Sequence, residues 1–273
     1  MNFAVFGGDD RSVRLCGLLR ADGHGVSPFA MEERLPCAGS PAAALRNADA
    51  LILPLPCGKN GLLNAPFSGE ARTFSALLDA APAGLPVLAG KADADLRGLC
   101  AERKLRLEDY FLREDFTWKN AELTAEGAVW LLLSGENALR GSRVLIGGFG
   151  RIGKLLAVKL GALGAEVTVA ARKAGDRAQA EALGFGATPF SRTDGDWDAV
   201  VNTVPEGVFG ASELEAFGDA RCIELASPPY GFDLDAAAEL GKHIELASGL
   251  PGKTAPAAAA EAVRDAIYAI MEG

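Results

Sequence analysis

Histidine is nearly missing from this chain of 273 residues, which has two, and its five cysteines form no C-x-x-C pair. His24 opens "HGVSPF" and His243 opens "HIELAS". Both sit at the amino ends of strands, away from the edge where an α/β sheet holds ligands, so the usual general acid–base group is missing from any site there. No metal centre is expected. Cys16, Cys37, Cys57, Cys100 and Cys222 are widely spaced and suit reduced thiols rather than a disulfide framework. Cys57, in a glycine-containing loop, reads as a small filler rather than a nucleophile. A basic excess is lacking too. Lys and Arg total 27 against 36 Asp and Glu, a net charge of −9, which argues against nucleic acid or an anionic membrane as partner. No apolar run approaches the roughly 20 residues of a membrane span. "MNFAVFGGDD" has no basic segment leading into a long apolar stretch, so no secretory signal is expected and the cytoplasm is the expected location.

What the chain does have is strands alternating with helices. "NFAVF", "HGVSPF", "ADALILPLP", "LPVLAG" and "LRLEDY" alternate with helical stretches over the first 115 residues. "RVLIG", "EVTVAAR", "WDAVVNTVP", "ARCIELAS" and "HIELAS" do so after residue 142. That rhythm implies an α/β fold of two doubly wound, parallel-sheet, Rossmann-like domains with a cleft between them. The expected boundaries are 1–118 for a substrate-side domain and 119–253 for a nucleotide domain, with a closing helix over 254–273 returning to the first. A crossing helix is expected near 117–138, with "TAEGAVWLLLSG" (124–135) buried on most faces. "GLPGKTAP" (249–256) reads as an irregular hinge because of its glycines and prolines.

Two strands run into glycines. In "GGFGRIG" (147–153), Gly148, Gly150 and Gly153 give G-x-G-x-x-G between a strand and a helix. The first glycine suits a tight turn, the second lets a pyrophosphate approach the backbone, and the third lets the helix pack closely. Phe149, Arg151 and Ile152 fill the motif. The next strand ends in Ala170-Ala171-Arg172-Lys173, with no acid to meet a free ribose 2′-hydroxyl. Arg172, with Lys173 beside it, suits a 2′-phosphate, so NADP(H) is favoured over NAD(H). Asn202, Thr203 and Pro205, in "VVNTVP", end the strand after that and complete the expected cofactor contacts.

The other opening, "FGGDDRS", lacks a third spaced glycine, and Asp9 and Asp10 would repel a pyrophosphate. It reads as a strand-end loop lining the substrate side, with Arg11 either pairing a carboxylate or held in a local salt bridge. Other strand-end loops supply Lys59, Lys91, Arg113 and Lys253, and the loop 226–231 contains Ser227. Several such cations suit an acidic small molecule.

The order of motifs resembles the A subunits of bacterial dipicolinate synthase over essentially the full length. The likeness is carried by Gly7-Gly8-Asp9 with Arg11, by "REDF…N…TAEGA" (113–127), by "GGFGRIG", "AAR" and "VVNTVP", by "ELAS" then "GFD", and most specifically by "GLPGKTAP". Two departures stand out. Pro228-Pro229-Tyr230-Gly231 replaces a tighter P-G-G turn, and Ser248 stands where a proline is common. The resemblance implies a sporulation enzyme that uses NADP(H) to oxidise dihydrodipicolinate, or its hydroxylated precursor, to dipicolinate. It implies as partner the flavoprotein-like B subunit of dipicolinate synthase. A small dicarboxylate would meet Arg11, Arg113, Lys253 and Ser227. A ring proton would need a base, for which Glu126 and Asp115 are candidates. Assembly into a homo-oligomer stays open. So do two alternatives: an NADP(H) oxidoreductase like the 2-hydroxyacid dehydrogenases, against which "ASPPYG" offers no arginine, and a regulatory nucleotide-binding protein without chemistry.

Overall fold

Short, mostly apolar runs of three to five residues supply most strands of two all-parallel sheets, each in its own unit. The computed structural model describes residues 1–135 and 138–273. One unit comprises Met1–Asn120 with Ala255–Gly273, and the other Ala121–Thr254.

Unit 1 begins with β1 (Asn2–Phe6), α1 (Asp10–Ala21), β2 (Gly25–Phe29), α2 (Pro41–Leu45) and β3 (Ala50–Ile52). A small antiparallel hairpin follows, β4 (Gly58–Lys59) and β5 (Leu62–Leu63). Next are α3 (Phe74–Leu78), β6 (Pro86–Ala89), α4 (Ala94–Glu102), β7 (Arg106–Asp109) and the start of α5 (Glu114–Leu133). The sheet order is β2-β1-β3-β6-β7. Alternation along β1 shows why helices are needed on both faces. Phe3 and Val5 enter one core with Leu15, Leu19 and Ile267, while Ala4 and Phe6 enter the other with Phe29 and Leu77.

Unit 2 continues with β8 (Arg143–Gly147), α6 (Arg151–Ala162), β9 (Glu166–Ala170), α7 (Ala174–Ala182), β10 (Gly186–Thr188) and β11 (Ala199–Asn202). Then come α8 (Ala211–Ala216), β12 (Arg221–Glu224), α9 (Leu234–Glu239), β13 (Ile244–Leu246) and α10 (Leu250–Thr254). Its sheet order is β10-β9-β8-β11-β12-β13, the doubly wound order that reverses direction between β8 and β11. Val144 and Ile146 face one core and Leu145 the other. The last helix, α11 (Pro256–Glu272), belongs to unit 1. There Tyr268 donates to Asp22 at 2.8 Å and Asp265 pairs with Lys119 at 2.7 Å.

Two expectations about elements need correction. "GLPGKT" is no irregular hinge, because Leu250–Thr254 form α10. Pro251 lies in its first turn, where a missing N–H costs nothing, and Gly249 before it takes φ +70°. The helix expected near 117–138 is α5, and it is not buried on most faces, since Trp130 and Leu133 are 58% and 55% exposed. The expected end of that helix reaches Glu136 and Asn137, which lie outside the described residues. No helix among the described residues is long and apolar enough to cross a membrane.

Candidate cofactor site

Both units place a helix directly after a strand–glycine turn, and the two helices begin in opposite ways. At α1 the N-cap is Asp9, whose carboxylate accepts the Arg11 N–H at 3.0 Å. The Arg11 guanidinium grips the same carboxylate, Nε at 2.9 Å and Nη2 at 2.7 Å, and Nη2 also donates to the Leu55 carbonyl. Asp10 adds a second acid in the first turn. The positive end of this helix is thus occupied by the chain's own carboxylates.

The α6 N-cap is Gly150, with no side-chain cap and no acid in the first turn. A Cβ built on Gly150 would meet nothing within 4 Å, so a bound group can approach the backbone there. Gly148 adopts φ +98°, and a Cβ there would come within 2.6 Å of Thr203 Oγ1 and Val204 Cγ2. A Cβ on Gly153 would come within 2.2 Å of the Gly148 carbonyl oxygen. Left-handed turn, open approach and close helix packing are therefore divided among the three glycines. The positive end of a helix with no side-chain cap, reached past a glycine, fits the pyrophosphate of a dinucleotide.

Phe149 turns into the core, with the Lys154 ammonium 5.4 Å from its ring centroid. Ile152 packs partly on the same core, and Arg151 is exposed as the first residue of α6. Thr203 Oγ1 donates to the Gly147 carbonyl at 2.8 Å, tying the end of β11 to β8, and Pro205 is exposed in the loop that follows.

At the carboxyl end of β9, Arg172 pairs with Glu206 at 3.0 Å, with both side chains mostly exposed. Lys173 is the exposed N-cap residue of α7. The fold adds a third cation that the sequence pattern did not single out. Arg177 reaches back from α7 to the carbonyls of Ala171 and Arg172, at 2.8 Å each. Its one signal in the sequence is position, a helical turn beyond a strand end that already holds two cations.

Asn202, expected among the cofactor contacts, turns its side chain inward. Its side chain is fully buried, and its amide donates to the Val204 carbonyl at 2.8 Å and to Glu224 at 2.7 Å. Glu224 is the residue of this edge that sequence reasoning misses. It is 1% exposed, at the end of β12. One carboxylate oxygen takes Asn202 and the Ala226 N–H at 2.8 Å; the other takes the N–H groups of Gly231 at 2.8 Å and Phe232 at 3.2 Å. An acid inside the apolar run "CIELA" is the available sign.

The candidate bases and cations mostly hold partners of their own. Arg113 grips Asp115 with Nε at 3.1 Å and Nη2 at 2.8 Å. That bond holds the Asp115 carboxyl below the usual carboxylate range, which weakens it as a proton acceptor. Glu126 lies 3.3 Å from the Lys159 ammonium, which Glu122 also approaches at 2.8 Å. These bonds, Glu122 foremost, raise the Lys159 pKa. Lys253 is exposed and lines an open groove of about 440 Å³ with Trp130, Glu245, Leu246 and Leu250. Ser227 is exposed in the loop between β12 and α9. Arg11, Arg113 and Asp115 belong to unit 1, and Glu126, Ser227 and Lys253 to unit 2.

Lys59 and Lys91 are exposed in unit 1. The Lys91 backbone is held by Asp109, whose carboxylate also takes the Ala92 N–H and Arg97. Cys57 is buried, and desolvation pushes its thiol up to about 11, which suits packing rather than attack. His24 accepts from the amino terminus at 3.3 Å and meets the rings of Phe3 and Tyr268 edge-on. Among the described residues no group of three or more His, Cys, Asp or Glu is placed to hold a metal.

Comparison with known proteins matches two segments of the chain to family models. Residues 2–111 match the N-terminal domain of the dipicolinate synthase A subunit. Residues 117–221 match the NAD-binding domain of D-isomer-specific 2-hydroxyacid dehydrogenases. The chain is 30% identical over 232 residues to the A subunit of dipicolinate synthase of Bacillus subtilis (strain 168), covering 82% of this chain and 77% of that protein. The crystal structure of the dipicolinate synthase A subunit from Bacillus halodurans superposes with a TM-score of 0.86 at 25% identity, over 100% of this chain and 98% of that one. The crystal structure of its counterpart from Bacillus subtilis gives 0.84 at 26% identity, over 100% and 96%. Unit 2 is thus a nicotinamide-dinucleotide-binding fold, and its uncapped α6 lies within the matched NAD-binding segment.

Proposed function

Because the chain belongs to the family of dipicolinate synthase A subunits, we propose that it binds NADP(H) in unit 2 and oxidises dihydrodipicolinate, or its hydroxylated precursor, to dipicolinate. The observation that carries this reading is the contrast between the two helix ends. The chain supplies its own anion at α1 and leaves α6 open to an external one.

Gly148, Gly150 and Gly153 would hold the pyrophosphate. Arg172, Lys173 and Arg177 favour a cofactor bearing a 2′-phosphate, since no acid stands at residues 170–173. A bound phosphate would take Arg172 from Glu206, an exposed pairing that costs little to exchange. When bound, the oxidised nicotinamide supplies a hydride acceptor, which is what aromatisation of a dihydropyridine ring requires.

The substrate's carboxylates call for cations. Lys253 and Ser227 are the candidates of unit 2. In unit 1, Arg11 and Arg113 each already hold a carboxylate, so a substrate would bind there by exchanging with Asp9 or Asp115. Asp115 is gripped by Arg113 through both carboxylate oxygens and Glu126 meets Lys159 through one, so either would take up the ring proton beside a cation. This favours a second protein component, of the kind that membership in a family of A subunits implies, as the one completing the reaction.

The test is ultraviolet detection of dipicolinate from freshly made dihydrodipicolinate and NADP, with uncatalysed oxidation subtracted. One arm holds the chain alone and the other adds a candidate B subunit. Dipicolinate formed by the chain alone makes it the catalytic component, and formation only with both assigns completion to the partner. No formation in either arm, with NADPH still bound, overturns the reading in favour of a 2-hydroxyacid-dehydrogenase-like reduction of 2-keto acids.

A further inference from the structure

The loop from β12 into α9 holds a tyrosine in a backbone conformation that favours glycine. Tyr230 has φ +70°, in Ser227-Pro228-Pro229-Tyr230-Gly231. Asparagine or aspartate can offset such a conformation with a local side-chain hydrogen bond, whereas a phenol is too long to do so. The surroundings impose it instead. Buried Glu224 takes the N–H groups of Gly231 and Phe232 on one oxygen and that of Ala226 on the other, gripping the loop on both sides of Tyr230. The Tyr230 N–H donates back to the Ser227 carbonyl at 3.2 Å. Gly231 lies so close to Asn202 that a Cβ would approach its amide nitrogen to 2.2 Å.

A loop fixed this firmly around a residue that glycine would replace without strain keeps the strain for the sake of the side chain. The Tyr230 ring is partly exposed, and its hydroxyl bonds to none of the described residues. The loop leaves the carboxyl end of β12, on the β11–β12 side of the point where strand order reverses. A dinucleotide read by its ribose phosphate at β9 runs across that point, so its reacting end lies on the side of Tyr230.

We infer that Tyr230 is a specificity-determining residue whose phenol donates a hydrogen bond to a carboxylate of the acidic ring substrate. Glu224 is the positioning residue that holds the loop. This rests on the nicotinamide oxidoreductase reading above, and the test separates the two.

Tyr230→Phe and Tyr230→Gly are compared with the unaltered protein, with the candidate B subunit present if turnover requires it. Three quantities are read: NADPH affinity, KM and kcat with dihydrodipicolinate, and calorimetric binding of pyridine-2,6-dicarboxylate in the presence of NADP. Both variants are expected to keep NADPH affinity. Both should raise KM and weaken the dicarboxylate by roughly ten- to a hundredfold, the scale of a hydrogen bond to a charged group. Tyr230→Gly is also expected to melt no lower than the parent, because the left-handed backbone suits glycine. Should that variant fail to fold, Tyr230→Phe decides, since it leaves the backbone as it is. Unchanged KM and dicarboxylate binding in both variants of an active protein overturns the inference and leaves the reading standing. A parent that binds the dicarboxylate without turning over still supports the inference if Tyr230→Phe loses that binding. A parent that does neither overturns both.

Discussion

On the reading proposed above, Arg172 would carry the choice of cofactor. Its side chain is 74% exposed and its partner Glu206 62% exposed, so the pair contributes about 0–1 kcal/mol to the fold and is free to be exchanged. Arg172→Ala is therefore expected to leave the melting temperature unchanged. It should weaken NADPH about tenfold or more while leaving NADH nearly untouched, the loss expected of a charge-assisted hydrogen bond. Fluorescence titration of both nucleotides checks this, and equal losses would mean that Arg172 does not read the phosphate. Arg172 is legible in the sequence because it stands where a strand ends without an acid. Asn202 is not, because sequence gives a residue's place at a strand end but not which way its side chain turns. Its partner Glu224 lies 22 residues further on, in a neighbouring strand, and the two become one buried network only when β11 and β12 pair. Arg177 is hidden for a related reason, since its reach back to the end of β9 depends on the angle at which α7 leaves the strand.

Among elements, the decisive pair is α1 and α6. Substituting Gly150→Asp gives α6 the kind of cap that Asp9 gives α1. Gly150 already has extended backbone angles, φ −77° and ψ −164°, and open space at its Cβ, so the new carboxylate enters without a clash. The fold should gain roughly a few tenths of a kcal/mol from the cap. Nucleotide affinity should fall by more than about tenfold, because a fixed anion then occupies the positive end of the helix. Thermal melting alongside NADPH titration checks both signs, and retained affinity would place the nucleotide elsewhere. Strands of the two sheet centres are easy to find, since "NFAVF" and "RVLIG" are apolar runs ending in glycine. β10 escapes a sequence reading because "GAT" is a three-residue edge strand with no apolar run, paired on one side alone to β9. α10 is hidden by its composition, since glycine and proline mark loops in general yet proline is tolerated in a first helical turn. In α5 the run "AVWLLL" suggests burial on most faces, but a helix buries the faces its neighbours cover, and Trp130 and Leu133 lie off those faces.

At the scale of the molecule, each unit closes its own two-sided core around its own sheet, and each sheet sends its loops from the carboxyl ends of its strands. Unit 1 stiffens that edge with Asp9 and Asp109, and unit 2 with Glu224, all three carboxylates accepting backbone N–H groups. What separates the units chemically is the helix end without a side-chain cap in unit 2, where, on the proposed reading, a dinucleotide would serve as oxidant. The most direct measurement follows NADPH and dipicolinate together, from NADP and fresh dihydrodipicolinate, with the chain and its candidate partner present. Mole-for-mole appearance of the two products is the expected result, because the hydride lost from the ring must arrive on the nicotinamide. Dipicolinate accumulating without NADPH would contradict it and assign the oxidation to another acceptor.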